Sequence, residues 1–322
     1  MVDRYGAAMP RIITPFGFAT TALEAAASID LTGTRVVITG AASGIGVETA
    51  RAVASTGADV TIAARNMTVA AEVAAHITAS TGNPEVHVQS LDLSDHLSIA
   101  AFVDAWQGPL HVLINNAGIM ATPETRTAQG CEVQFATNHI GHFVLTLGLH
   151  SALGSAGGAR VVNLSSIGHR RSPVMFDDIH FDSRAYDKWA AYGQSKTANV
   201  LFGVGITDRW AADGITGNAV HPGGIMTNLQ RHMDPEEFKI MGWVDAEGNV
   251  RQGFKTAEQG AATAVTVATS PLVAGIGGRY FEDCNEAEAA TPDGPRSGVE
   301  SYAVDPGLAD RLWDETVRLL SR

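Results

Sequence analysis

Two cysteines in 322 residues, Cys131 and Cys284, are too few for a disulfide framework and stand at no metal-ligand spacing. Two reduced thiols are favoured over one bridge. Long apolar runs are missing too: no stretch of ~18 residues is apolar throughout, which argues against a membrane span. Charge is scarce, at 17% of residues, and acids outnumber bases by 34 to 22. The net charge of −12 favours neither nucleic acid nor an anionic membrane surface. Met1–Arg11 has no long apolar core and no clear cleavage pattern, so no signal peptide and a cytoplasmic location are expected. His169 and His180 have no third ligand at fitting spacing, so no metal is expected.

A hydrophobic content of 45% and 34 glycines suit a compact α/β protein with a substantial core. Apolar runs at Val36–Ile38, Val60–Ala63, Val86–Ser90, His111–Ile114 and Arg160–Leu164 predict strands. Between them, Val47–Ala54, Met67–Ser80, Asp95–Trp106 and Thr127–Leu153 predict helices. Later, Thr256–Ala268 and Leu308–Leu320 predict helices and Gly277–Phe281 the last strand. Such alternation implies a doubly wound parallel Rossmann sheet with helices on both faces. One domain over 31–322 is expected, after an arm over 1–30. Within the arm, Pro15–Phe18 predicts an extended segment that packs its aromatics on the domain, with closure over the site as the alternative.

The stretch Thr34–Gly46 organises the rest. A strand ends in Thr39-Gly40, Ser43 and Ile45 alternate with Gly44 and Gly46, and a helix follows. Such a turn lets backbone N–H groups face a pyrophosphate without a Cβ in the way. NAD-binding units usually end the second strand with a carboxylate for the ribose 2′-hydroxyl. Here that strand ends in Arg65-Asn66, and a guanidinium suits a 2′-phosphate, so NADP(H) is expected over NAD(H).

Polar groups recur at the later strand ends: Leu91-Asp92-Leu93, Asn115-Asn116-Ala117-Gly118, Ser165-Ser166, and His221-Pro222-Gly223-Gly224-Ile225-Met226-Thr227. Strand C-termini are where doubly wound sheets bind ligands, so these groups converge on one crevice. Asn138 lies in a helical stretch, and Tyr192-Gly-Gln-Ser-Lys196 opens the next helix. With T-G-x-x-x-G-x-G, N-N-A-G, paired serines and Y-x-x-x-K in this order, the chain from about residue 32 to at least 230 resembles the short-chain dehydrogenase/reductase family.

A tyrosine carries protons poorly at neutral pH unless its phenolate is stabilised. Lys196 shares the helix face of Tyr192. A charge ~4 Å away contributes up to ~4 kcal/mol at an effective dielectric near 20, roughly three pKa units. The resemblance implies that Tyr192 is the acid or base and that Lys196 holds the nicotinamide ribose. It implies that Ser166, rather than Ser165, orients the substrate carbonyl, and that Asn138 holds a water linked to Lys196. It assigns the phosphates to Gly40 and Ser43–Gly46, the adenine edge to Asp92 and Leu93, and the adenosine wall to Asn115, Ala117 and Gly118. Pro222, Gly223, Ile225 and Thr227 match the motif that receives the carboxamide and pyrophosphate. One of Asn115 and Asn116 is expected to be structural instead.

Ser166 and Tyr192 stand 26 positions apart, and the stretch between them holds an insert similar to that of the retinol dehydrogenase and protochlorophyllide reductase branch. Phe176 and Trp189 are expected to pack this insert rather than bind substrate. A lid is expected over 226–255, and a loop from Asp283 to Gly298 should frame the substrate mouth, with Cys284 as a minor candidate for a reactive thiol. The expected activity is NADP(H)-dependent interconversion of a carbonyl and an alcohol on a hydrophobic small molecule. Reduction of C=C or C=N bonds, and NADP(H) sensing without turnover, remain open. For assembly, helices beginning near Gln129 and Tyr192 are candidates to pair in a homodimer or homotetramer, with Ala198, Leu201, Gly205 and Ile206 as an apolar seam.

Overall fold

The computed structural model describes residues 10–292 and 296–321. Residues 1–9 of the expected arm lie outside the described residues, as do 293–295 of the expected mouth loop. In chain order the elements are α1 (Ala22–Ala26), β1 (Arg35–Thr39), α2 (Ile45–Ala54), β2 (Asp59–Ala64), α3 (Met67–Thr81), β3 (Val86–Ser90), α4 (His96–Ala105) and β4 (Val112–Asn115). There follow α5 (Val133–Phe135), a π-helical turn (Ala136–Ile140), α6 (Gly141–Gly148), α7 (His150–Gly154), β5 (Arg160–Leu164), α8 (Lys188–Trp210) and β6 (Thr216–His221). The remainder comprises β7 (Gly224–Ile225), α9 (Pro235–Ile240), β8 (Phe254–Lys255), α10 (Ala257–Thr269), β9 (Tyr280–Glu282), β10 (Asn285–Glu286) and α11 (Pro306–Leu320).

The main sheet runs β10-β9-β6-β5-β4-β1-β2-β3. All pairs are parallel except β9–β10. Val36 on β1 pairs with Val60 on one side and Val112 on the other. At this point the chain reverses the direction in which it adds strands, and there the strand ends part to leave a crevice. Successive β1 side chains feed opposite layers: Val36 and Ile38 join α2, α3 and α10, while Val37 joins α4, α6 and α8.

The helix expected over Thr127–Leu153 begins instead at Val133. Gly130 has φ +80°, and Arg126 bridges back to Glu132. The buried Glu132 carboxylate then accepts from the amides of Gln134 and Phe135 at 2.9 and 2.7 Å, which caps the helix there. Its further breaks are the π-helical turn and Leu149. Helix α8 starts one turn before Tyr192, because Asp187 accepts from the amides of Trp189 and Ala190. The last long-range strand starts at Tyr280 rather than Gly277, after Gly278 at φ +73°.

Within the arm, Ile12 and Phe16 lie against the first core layer, Glu286 N–H donates to the Ile12 carbonyl at 2.9 Å, and Phe18 instead lines the cleft. The seam expected for assembly is already covered. Helix α11 lies along α8, with Ala309 and Leu312 packed in one cluster with Ala198 and Leu201. A Cβ on Gly205 would stand 3.3 Å from the Trp313 ring.

Candidate active site

A cleft of about 1010 Å³ opens at the C-terminal ends of the strands. Its first wall is the β1–α2 turn. Gly40 has φ +67° and Gly44 φ +58°. Helix α2 has no side-chain cap at Gly44; Val47 N–H bonds the Gly44 carbonyl at 3.3 Å, and the Ile45 and Gly46 amides are left to a ligand beside Ser43, Gly44 and Ile45, which line the cleft. Gly46 does not line it. A Cβ there would lie 2.7–2.8 Å from Asn116 Nδ2, the Ala41 Cα and the Gly40 carbonyl, so this glycine serves close packing of helix on loop.

Thr39 sets the second wall. Its hydroxyl accepts from the amides of Asn116 and Ala117 at 2.9 and 3.0 Å and contacts His142 Nε2 at 2.8 Å. His142 Nδ1 meets the Asn138 carbonyl at 3.0 Å. A hydroxyl already accepting two amide bonds donates to the ring, which makes Nε2 the acceptor and Nδ1–H the donor. Burial, opposed by the Asn138 bond and aided by the Lys196 charge, lowers His142 to about 4, so the imidazole is neutral at pH 7.

Asn115 does not face the cleft. Its amide donates to Asn163 Oδ1 at 2.8 Å and to Thr146 at 3.2 Å, tying β4 to β5 and α6. It is the structural member of the pair, because alternate residues at a strand end point to opposite faces. Asn116 lines the cleft while its Nδ2 donates to the Thr39 carbonyl at 2.7 Å. Gly40, Arg65, Asn66, Asp92, Leu93, Ala117, Gly118, Pro222, Gly223, Ile225 and Thr227 all line the cleft as well.

At the far end Ser166, Tyr192 and Lys196 come together. The Ser166 hydroxyl and the Tyr192 ring lie side by side, since a Cβ on Gly168 would stand 3.3 Å from the one and 2.9 Å from the other, and the hydroxyl favours the phenolate. Gly168 thus lets the ring lie close. Lys196 Nζ donates to the Leu164 carbonyl at 2.9 Å and sits 5.6 Å from the centre of the Tyr192 ring. Ser165 faces away and donates to the Lys196 carbonyl at 2.8 Å, which pins α8 to the end of β5. The expected downward pull of Lys196 on Tyr192 is not the dominant effect here. Burial pushes Tyr192 up to about 12, with the Ser166 hydroxyl opposing, and burial lowers Lys196 to about 7. The ammonium donates to a backbone carbonyl and lies beside the Tyr192 ring.

Asn138 sits in the π-helical turn, fully buried. Its side chain is spent on structure: Oδ1 accepts from Ile119 N–H at 2.8 Å, and Nδ2 donates to the Ile119 carbonyl and to Ser195. A Cβ on Gly118 would stand 3.2 Å from Asn138 Oδ1 and 3.6 Å from Lys196 Nζ, so the two side chains flank the same glycine.

The short chain dehydrogenase family profile matches residues 34–237, more than half of the chain. A Streptomyces lividans protein named "Probable oxidoreductase" is 53% identical over 297 residues, covering 91% of this chain and 99% of its own. The chain belongs to the short-chain dehydrogenase/reductase family. Retinol dehydrogenase 12 of Homo sapiens is 39% identical over 296 residues, covering 91% of this chain and 88% of its own. A solved structure from Mycobacterium paratuberculosis superposes with a TM-score of 0.70 at 32% identity, over 92% of this chain and 97% of that one. As a short-chain dehydrogenase/reductase the protein is an oxidoreductase, and the family works with NAD(P)(H).

Several lining residues of this dehydrogenase were not legible beforehand. Trp189 packs against the insert as expected, under the Arg171 guanidinium at 5.2 Å, and it also lines the cleft and meets Trp243 at 6.2 Å. Phe176 does pack, under the Arg311 guanidinium at 4.4 Å. From the expected lid come Leu229, Arg231, Met241, Trp243 and Phe254, and from the arm Phe18, whose ring lies 4.9 Å from Lys255 Nζ. Glu282, Asp283, Arg296 and Ser297 line the mouth, as expected of that loop. His169 is buried between Ser166 and Glu300, whereas His180 accepts from the Glu132 amide. Cys131 and Cys284 are not joined in a disulfide, and burial raises the Cys284 pKa, away from reactivity. No helix among the described residues is long and apolar enough to cross a membrane.

Proposed function

We propose that this dehydrogenase interconverts a carbonyl and an alcohol on a hydrophobic small molecule, using NADP(H). The observation that carries the reading is Ser166 and Tyr192 side by side next to a buried Lys196, in one cleft with an uncapped glycine turn. The cleft fits a dinucleotide: free amides at the α2 N-terminus suit a pyrophosphate, and a guanidinium stands at the end of β2. Arg65 has company there. Arg231, from the segment after β6, lines the same cleft, and the Arg65 charge lowers its pKa, after the larger effect of burial. Two guanidiniums without a carboxylate between them suit a 2′-phosphate.

The nicotinamide group supplies the hydride when bound. In reduction Tyr192 would donate the phenolic proton to the carbonyl oxygen, which Ser166 would hold in place. Lys196 would hold the ribose and, as a cation, stabilise the phenolate as it forms; its pKa near 7 keeps both of its forms accessible at neutral pH. Asn138 would serve the water relay through its backbone carbonyl, since its side chain is engaged. Residues 31–322 would act as one catalytic domain, with 226–255 as a lid. Met233 from that segment already packs against Tyr192 and Met120. Trp189, Trp243, Met241 and Phe254 support an apolar substrate body.

The test is NADPH absorbance with a panel of ketones, aldehydes, quinones, enones and imines. Consumption with aldehydes or ketones is expected. NADPH binding with no turnover of any member would favour the sensing alternative.

A further inference from the structure

The cations of this acidic chain are mostly neutralised by carboxylates: Arg170 pairs with Glu300 at 2.9 Å, Arg126 with Asp182 at 2.9 Å, and Lys255 with Asp283 at 2.6 Å. Around the cleft the pattern is different. Arg65, Arg231, Arg171 and Arg296 line it, and none of the four forms an ion pair with a carboxylate among the described residues. The first two are accounted for by a cofactor phosphate. The second two are not.

Arg171 and Arg296 stand at the substrate end. The Arg170 guanidinium donates to the Ser297 carbonyl at 2.8 Å, which brings the chain at Arg170–Arg171 against the chain at Arg296–Ser297. Arg171 feels Arg296: burial first, then that neighbouring charge, lowers its pKa, and Asp187 opposes both. Its guanidinium lies 5.2 Å over the Trp189 ring, and Nη2 approaches Met241 Sδ at 3.8 Å. Trp189 precedes Tyr192 by three residues on α8, about one helical turn. A Cβ on Gly193 would touch the Arg171 Cβ at 3.1 Å. Like charges held together at a cleft mouth repel unless an anion lies between them. The cleft-lining acids do not fill that role: Asp283 is paired with Lys255, Glu282 accepts from Gly298 N–H at 2.8 Å, and Asp92 accepts from Ser94.

We infer that the substrate is an amphipathic carbonyl compound whose apolar body lies along Trp189 and Met241 and whose remote acidic oxyanion, a carboxylate or a phosphate monoester, is bound by Arg171 and Arg296. The carbonyl and the anion are separated by about one helical turn or more, so they are not adjacent groups on one carbon. This rests on the oxidoreductase reading of the same cleft and narrows its substrate class.

The probes are 4-formylbenzoate, 4-formylphenyl phosphate and the neutral methyl 4-formylbenzoate. Each is titrated into enzyme saturated with NADP⁺, followed by tryptophan fluorescence, and each is assayed for NADPH-dependent reduction. At least one anionic probe should bind about 10- to 100-fold more tightly than the ester, the range of one charge-assisted bond. Arg171→Gln and Arg296→Gln should each collapse the anion-to-ester ratio toward one, whereas Arg171→Lys should keep it. The carboxylate and phosphate arms identify which oxyanion is preferred. Equal affinity of all three probes, or an Arg171→Gln loss that is the same for anion and ester, would overturn the inference. So would an equal loss of NADPH affinity, which would assign Arg171 to the cofactor. Charge-selective binding without reduction of any aldehyde would uphold the Arg171–Arg296 anion site and overturn the carbonyl reading on which the substrate class rests.

Discussion

Lys196 donates its ammonium to the backbone carbonyl of Leu164 at 2.9 Å, and that carbonyl also accepts from Asn199 Nδ2 at 2.9 Å. The lysine is thus anchored to the end of β5, next to the two serines, rather than left to rotate at a helix surface. Its position beside Tyr192 is a property of the strand–helix junction as much as of the i,i+4 spacing.

Tyr192→Phe removes one oxygen and keeps a ring packed against Met120 and Met233. Carbonyl reduction should fall by ~10²–10⁴-fold, the usual loss of acid–base catalysis, with little change in NADPH affinity by fluorescence. Lys196→Ala should lower both together. Wild-type turnover in Tyr192→Phe would assign the proton to another group and bring C=C reduction forward.

Arg65→Ala should weaken NADPH by one or two charge-assisted bonds, ~1.5–3 kcal/mol each, and leave NADH nearly unchanged. Arg231→Ala should do the same to a lesser degree, since Arg231 comes from the segment proposed to move. Isothermal titration with both cofactors checks this. Equal losses for NADH and NADPH would remove the 2′-phosphate assignment.

Three buried histidines and the partly buried His221 have depressed pKa values, His139 and His221 at about 3 and His142 and His169 at about 4, each chiefly through desolvation. The unfolded chain binds their protons near pH 6.5, so their stabilising contribution is complete above that pH and is lost as pH falls toward 4 and 3. Each contributes a slope of up to ~1.4 kcal/mol per pH unit in that window. The urea midpoint should therefore drop between pH 7 and 5, before most carboxylates titrate. His139→Gln should reduce the slope, and a midpoint constant over this range would mean that the folded protein takes up these protons.

Leu201 is buried under α11 within its own chain. Leu201→Ala should cost about 2–5 kcal/mol in urea unfolding, as for other large-to-small core changes. The midpoint should not depend on protein concentration, because the seam is intramolecular. A concentration-dependent midpoint would show that this face also binds a second copy.

The order of strands and helices, the glycine turn and the succession of Ser166, Tyr192 and Lys196 were determined by the sequence alone. Apolar periodicity, turn residues and fixed spacings are local properties, and the structure bears the predicted alternation out with shifts of a few residues at most junctions. The larger miss, Thr127–Leu153, arose because Glu132 caps a helix only once its carboxylate is buried against α5, which composition does not report. Tertiary structure alone decided which face each polar residue takes. Asn115 turned into the sheet while Asn116 met the cleft, Ser165 bonded α8 while Ser166 came to lie beside Tyr192, and Gly46 packed rather than lined. It also brought Arg231, Arg171 and Trp189 to the cleft and laid α11 over the expected seam. These outcomes depend on contacts between segments far apart in the chain, and such contacts leave no trace in the spacing of neighbouring residues.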